Sequence, residues 1–314
     1  MAVPVPPTVD IRPPRGKFDA TKVSPSRLNS YVSCGVAFQK DYIHGERPQR
    51  GGSAALYGNV IHKALEQWGL NRSADLVNLV GHAWMDLTAG TPVADFIQAY
   101  RNINIEVMRA EKVARDAFEK RNPDKESKAP RMTKEFKESD ACRKLNRLLG
   151  EWIPKLNEGS YWLFTERDPL PSLYDESLVS AKKYQAKWRH LPTALYTEFE
   201  FSVEWWNGFT LNGHVDSIES VMTEDGELVG YLILDYKTYR KEPSPLKDWR
   251  QLCMYDVVIR QMIQTGQLAL DSHLPLYVAC DYFRLGERKD WVIGPADHEK
   301  LMEELLMYRR GVEA

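Results

Sequence analysis

Cysteine is scarce in this chain. Cys34, Cys142, Cys253 and Cys280 are the only four among 314 residues, and they lie far apart. That scatter excludes a disulfide framework and a Cys-x₂-Cys metal knuckle, and it fits a reducing, cytoplasmic compartment. Long uncharged apolar runs are absent, so neither a transmembrane helix nor a membrane partner is expected. The N-terminus lacks a basic start followed by an apolar stretch, so no secretory signal is visible. No G-x-x-x-x-G-K-[ST] loop occurs, which removes ATP-driven motor chemistry from this chain. Net positive charge is missing too: the formal balance is −2, unlike the bulk signature of a nucleic-acid binder.

What is present suffices for a sizeable core: 43% apolar residues, with 9 Trp, 15 Tyr and 10 Phe. Residues 1–20 are proline-rich and aperiodic, and read as a disordered tail. Ser24-Pro25 is a helix start, a capping hydroxyl followed by proline in the first turn. A loop with Arg47, Arg50, Gly51 and Gly52 follows, then a helix from about Tyr57 to Leu70. These elements occupy residues 21–72. Residues 73–190 form a helical block with apolar residues three and four apart, such as Leu76, Leu79, Val80 and Trp84, and with prolines as punctuation. Thirteen basic residues fall between Arg109 and Arg147, among them Arg115, Arg121, Lys125, Lys128, Arg131 and Arg143. Such a run is a solvated helix face or a track for phosphates.

Residues 191–314 change period to two. Tyr196–Trp205 and Phe209–Ser220 read as strands joined by an Asn207-Gly208 turn. An apolar strand from Leu228 to Leu234 ends at Asp235-Tyr236-Lys237. Ser244-Pro245 starts a helix reaching about Ile263. Strands at Leu274–Phe283 and Trp291–Ile293 and a helix over 295–310 complete the chain. The whole predicts an α/β fold: a small mixed sheet flanked by helices, with a large helical insertion.

The chemistry concentrates at strand ends. Asp216 closes Gly213-His214-Val215-Asp216, and Asp235 and Lys237 close the following strand. Carboxylate oxygens suit hard divalent cations such as Mg²⁺ and Mn²⁺, and a nearby ammonium can orient a water or offset developing negative charge. Acid-x-Lys triplets recur elsewhere, as in Glu126-Ser127-Lys128, Glu135-Phe136-Lys137 and Glu287-Arg288-Lys289. The strand-end context sets Asp235 apart. His62 lies on the helix Gly58–Glu66, and Gln251 and Tyr255 lie four apart on one helical face. His214, two residues before Asp216, shares its face in a regular strand and is a candidate brace. Trp205, Trp206, Tyr239 and Trp249 are candidates for base stacking or for core.

In chain order these residues spell GxxxHxxLE, GxxD, DxK and QxxxY. With Ser24–Tyr31 and Cys34 ahead of them, the set resembles the RecB-type nuclease family of the PD-(D/E)XK superfamily, which includes the RecB and AddB nuclease domains and stand-alone phage exonucleases. The likeness covers residues 24–66 and about 195–285. It implies a PD-(D/E)XK core, a Mg²⁺- or Mn²⁺-dependent deoxyribonuclease, and an exonuclease acting on single strands or ends. The rival expectations are a structure-selective endonuclease or a non-catalytic DNA-binding recombination accessory. The resemblance assigns metal binding to His62, Asp216, Asp235 and the Tyr236 carbonyl, and catalysis to Asp216, Asp235 and Lys237. It places Gln251 and Tyr255 against substrate or the acids. Glu198 is a possible match to an upstream family glutamate, with Glu200 and Glu204 competing for that register. Some relatives hold a 4Fe–4S cluster through one early and three late cysteines. The late group is missing here, so no iron–sulfur cluster is expected, and Cys253 and Cys280 read as core thiols. A helicase or recombination partner would have to supply any unwinding.

Overall fold

The computed structural model describes residues 19–45, 51–121, 133–159, 162–165, 169–240 and 245–313. The expected tail, Arg47 and Arg50, the basic residues Lys125, Lys128 and Arg131, and the helix-starting Ser244 lie outside them. Two compact units result, one from residues 1–48, 58–80 and 176–314, the other from 49–57 and 81–175.

In chain order the elements are β1 (Lys22–Val23), α1 (Pro25–Ser33), α2 (Gly35–Phe38), a π-helical turn (Gln39–His44), β2 (Gly51–Gly52), α3 (Ser53–Leu70), α4 (Leu76–Leu87) and α5 (Pro92–Arg121). Then come α6 (Lys134–Lys137), α7 (Asp140–Gly159), β3 (Trp162–Leu163), α8 (Leu170–Trp188), β4 (Tyr196–Trp205), β5 (Phe209–Met222) and β6 (Leu228–Lys237). The chain closes with α9 (Pro245–Gln264), β7 (Leu276–Tyr282), β8 (Glu287–Trp291) and α10 (Pro295–Glu313).

The first unit is built on a six-stranded mixed sheet ordered β1-β5-β6-β7-β8, with β4 also on β5. β4, β5 and β6 run antiparallel in series, β6 and β7 run parallel, and β8 returns antiparallel. Ser24 caps α1 by accepting the Arg27 amide, with Pro25 at the first turn, as the Ser-Pro signal requires. One side of the sheet carries α9: Leu252, Cys253, Val258 and Ile259 pack with Ile233, Val278 and Cys280 in the main core. The other side carries polar groups that find partners. Arg72, just beyond α3, ion-pairs with Glu219 of β5, and Tyr184 of α8 donates to Asp281 of β7 at 2.6 Å. The Trp68 and Tyr184 rings meet edge-on, tying α3 to α8. Burying so much aromatic surface is the main stabilising contribution, at roughly 25 cal/mol per Å².

Among the described residues, the second unit's elements are helices apart from the short parallel β2–β3 pair. Val107, Ala114, Phe136, Ala141 and Cys142 form a core among α5, α6 and α7. Arg109, Lys112, Arg115 and Lys120 are exposed along α5.

Three expectations need correction. The final strand is Glu287–Trp291, not Trp291–Ile293. Its Glu-Arg-Lys-Asp run hides it, because an edge strand pairs on one side only and tolerates charge. The helix bearing His62 begins at Ser53 rather than Tyr57. The β4–β5 connection is a Trp206–Gly208 turn in which Asn207 and Gly208 have φ of 57° and 72°, so three residues, not two, make the loop.

Candidate active site

The β5–β6 register pairs Ser217 with Leu234, which brings Asp216 level with Asp235. Asp216, expected to close a strand, lies inside β5, and it accepts the Tyr236 amide N–H, locking β5 to the end of β6. Asp216, Asp235 and Lys237 are 6%, 2% and 8% exposed. His62 reaches in from α3: Nδ1 lies 3.2 Å from Asp216 Oδ1, and its ring stands edge-on to Tyr236. α9 supplies Gln251, whose Nε2 donates to Asp235 Oδ1 at 2.6 Å and whose Oε1 accepts from Lys237 Nζ at 2.8 Å. Lys237 also ion-pairs with Asp235 Oδ2. Tyr255, one helical turn on, receives a 2.6 Å hydrogen bond from Gln251 and lies 3.5 Å from Asp235 Oδ1. Four elements, α3, β5, β6 and α9, thus converge on one spot.

Charge at this spot is shaped by burial and by neighbours. Burial pushes the Asp235 carboxyl up to about 6, although Lys237 pulls the other way and Asp216 adds to the rise. Burial works against the His62 imidazolium, but the Asp216 anion and hydrogen bonds to Asp216 and Glu198 outweigh it and raise the group to about 10. Burial likewise opposes the Lys237 ammonium, and Asp235 beside it prevails, so Lys237 stays charged. These are the marks of a site where desolvation is set against specific charge partners.

The donor set fits a divalent cation. Single donor atoms of His62, Glu198 and Asp216 lie within 4.8 Å of one another, and two carboxylates with an imidazole suit Mn²⁺ and, through the oxygens, Mg²⁺. Glu198 is the residue that sequence reasoning underweighted. Its carboxylate lies 3.8 Å from His62 Nδ1, while Glu200 pairs instead with His214 on the surface, at 4.0 Å. The register decides between them. Thr197 opposite Ser217 and Phe199 opposite Val215 leave Glu198 facing Asp216, whereas the expected two-residue turn would have shifted the pairing by one and set Glu198 opposite Ser217. Glu198 adopts φ 46°, a left-handed conformation that costs a non-glycine residue energy and recurs at functional sites.

The profile of the PD-(D/E)XK nuclease superfamily matches residues 22–293. The chain belongs to this superfamily. Among solved structures, the chain is similar to an exonuclease candidate from Eubacterium rectale, with 10% identity, 93% of this chain and 82% of that chain covered, and a TM-score of 0.42. No curated protein sequence matches. Membership agrees with the fold, a mixed sheet flanked by helices.

The remaining candidates separate clearly. Gly213 of the GxxD motif faces Phe201, and a Cβ there would approach the Phe201 ring at 2.9 Å. That ring in turn stands edge-on to Tyr255 at 5.9 Å. The glycine therefore makes room for the aromatic that supports the QxxxY tyrosine. His214 is exposed and does not brace Asp216. Trp249 is buried and donates to Asp297 at 2.7 Å, so it is core; Trp206 is exposed at the hairpin tip. Cys253 and Cys280 are core thiols and Cys34 is exposed. Among the described residues no helix is long and apolar enough to cross a membrane. Asp248, absent from the sequence-based set, lies fully buried with Oδ1 3.8 Å from Lys237 Nζ.

Proposed function

We propose that this protein is a Mg²⁺- or Mn²⁺-dependent deoxyribonuclease that hydrolyses phosphodiester bonds at DNA ends or on single strands. The observation that supports this best is the convergence of His62, Glu198, Asp216, Asp235 and Lys237 where the end of β6 lies against the middle of β5. His62, Glu198, Asp216 and Asp235 would hold the cation, with the Tyr236 carbonyl as a further donor. A bound divalent cation polarises the scissile phosphate and acidifies a water. Gln251 holds the Lys237 ammonium, which then orients the attacking water or offsets charge building on the phosphate. Tyr255 keeps the Gln251 amide turned toward Asp235. The basic side chains along α5 and α7, including Arg115, Arg121 and Arg143, suit a phosphate track, and capture through them would weaken steeply with salt.

The preference for ends rests on the ordered motifs, which resemble RecB-type exonucleases. Unwinding, where needed, falls to a helicase or recombination partner. The test compares linear and covalently closed single-stranded DNA of one sequence, with Mg²⁺ or Mn²⁺. The expected result is that linear strands disappear and circles survive. Rapid cutting of circles would establish an endonuclease instead, and intact DNA throughout would leave a DNA-binding accessory.

A further inference from the structure

Lys237 and a cation want the same ligand. Asp235 Oδ2 is ion-paired with Lys237, while Oδ1 already accepts from Gln251. For Asp235 to ligate a cation through Oδ2, the ammonium must move off it. Two positive charges brought onto one carboxylate also repel each other across a few ångströms of largely dry protein, where Coulomb forces are weakly screened. The ammonium has three donors, and Gln251 Oε1 satisfies one of them. A second anionic seat is therefore needed, close enough to be reached by a rotation of the lysine's end and outside the metal-ligand set.

Among the described residues, Asp248 meets those conditions. Asp248 sits in the first turn of α9, one turn before Gln251. Its Oδ2 accepts from the Tyr282 hydroxyl at 2.8 Å, which fixes the carboxylate. Its Oδ1 is buried, has no hydrogen-bond partner, and lies 3.8 Å from Lys237 Nζ. An orphaned carboxylate oxygen in a fully buried side chain is costly unless something uses it. We propose that Asp248 is a positioning residue, the seat that receives the Lys237 ammonium when Asp235 turns to the cation. Lys237 would then swing from a resting pair with Asp235 to an active pair with Asp248, tethered by Gln251 in both. The inference rests on the nuclease reading of this site.

The direct test is a crystal structure of the wild-type protein soaked with Mn²⁺. The Nζ–Oδ1 separation should close from 3.8 Å to about 2.8 Å, the length of a charge-assisted hydrogen bond. Lys237 still resting on Asp235 beside bound Mn²⁺ would overturn the proposal. Kinetics add a second arm. Asp248→Asn keeps the shape and the Tyr282 bond but removes the charge. It should lower kcat on the order of 10–100-fold with KM and calorimetric Mn²⁺ affinity within about threefold, the pattern of a lost transition-state contribution. In a Lys237→Met background the same change should cost less than about twofold, because two residues acting as one unit are not additive. Full additivity would overturn the proposal, as would unchanged kcat in Asp248→Asn. If Asp248→Asn fails to fold, Asp248→Glu replaces it and should keep more activity than Asp248→Ala. A wild-type protein without nuclease activity would refute the nuclease reading, while the Mn²⁺ structure would still decide where Lys237 sits.

Discussion

Arg72→Met is the most informative stability test, because it breaks the buried pair that fastens β5 to the end of α3, the two elements carrying Asp216 and His62. Arg72 and Glu219 are 6% and 3% exposed. The guanidinium pairs with Glu219, donates to Pro192 O at 3.3 Å and covers the Trp68 ring at 4.2 Å. Burial pushes the Glu219 carboxyl above its ordinary value of 4.5, against the pull of Arg72 and then Arg288. Without Arg72 the carboxylate would be left unpaired, a loss that typically costs about 3–5 kcal/mol. The group can escape by binding a proton. From an unfolded value of 4.5 that escape costs about 3.4 kcal/mol at pH 7, at about 1.4 kcal/mol per pH unit. This is a ceiling on the electrostatic penalty, and at pH 5 it falls to about 0.7 kcal/mol. A raised carboxyl favours the folded state below its unfolded value and loses that contribution as pH rises through the folded one. The variant's deficit should therefore grow between pH 5 and pH 8. A floor of about 1 kcal/mol for the lost stacking on Trp68 should remain at every pH. Urea unfolding of wild type, Arg72→Met and Arg72→Met/Glu219→Leu at pH 5 and 7 measures this. The double variant should recover most of the loss at pH 7, since an apolar pair can replace a buried ionic one. A deficit independent of pH, or a double variant worse than the single, would refute the reasoning.

Three further outcomes are expected. Asp235→Asn should abolish Mg²⁺- or Mn²⁺-supported DNA digestion with circular dichroism unchanged, and Lys237→Ala should slow it about 10²–10³-fold while sparing Mn²⁺ binding; near-normal digestion by Asp235→Asn would remove it from the site. Mn²⁺ at about 100 times its Kd should stabilise the wild type by about 2.7 kcal/mol in thermal melts, and Asp216→Asn or Glu198→Gln should lose most of that shift; an undiminished shift would place the cation elsewhere. Thiol reagents at pH 8 should label native protein at Cys34 alone, because burial pushes the Cys253 and Cys280 thiols well up and Cys142 is enclosed; fast labelling of Cys253 without denaturant would contradict the packing.

The parts of the fold legible in the sequence were those governed by local signals. Ser24-Pro25 marks a helix start because capping and the proline φ act within one turn. Tyr196–Trp205 and the strand ending at Lys237 were legible through alternation and apolar runs. Glu287–Trp291 was not, since its pairing depends on what β7 offers rather than on its own composition. The long helices were legible as periodicity, but the compact units divide at residues 80–81 and 175–176, inside α4 and α8, where the helical periodicity runs on without a break.

The same distinction holds within the site. Asp235 and Lys237 announce themselves because they close the apolar strand β6, whereas Asp216, expected to close a strand, lies inside β5 (Phe209–Met222) and is brought level with Asp235 by the register. Glu198 looks like Glu200 and Glu204 in composition and spacing. Only the register across the hairpin separates them, by setting Glu198 opposite Asp216 and Glu200 opposite His214. Asp248 is harder still. Its nearness to Lys237 follows from how α9 lies on the sheet, with Tyr282 of β7 holding one oxygen and the lysine approaching the other. A lone aspartate in a helix's first turn reads as a dipole-compensating residue, and nothing local separates that from a seat for a catalytic ammonium. Asp216, Asp235 and Lys237 were visible one strand at a time, whereas the approach of Asp248 to Lys237 becomes visible only once helix and sheet are packed together.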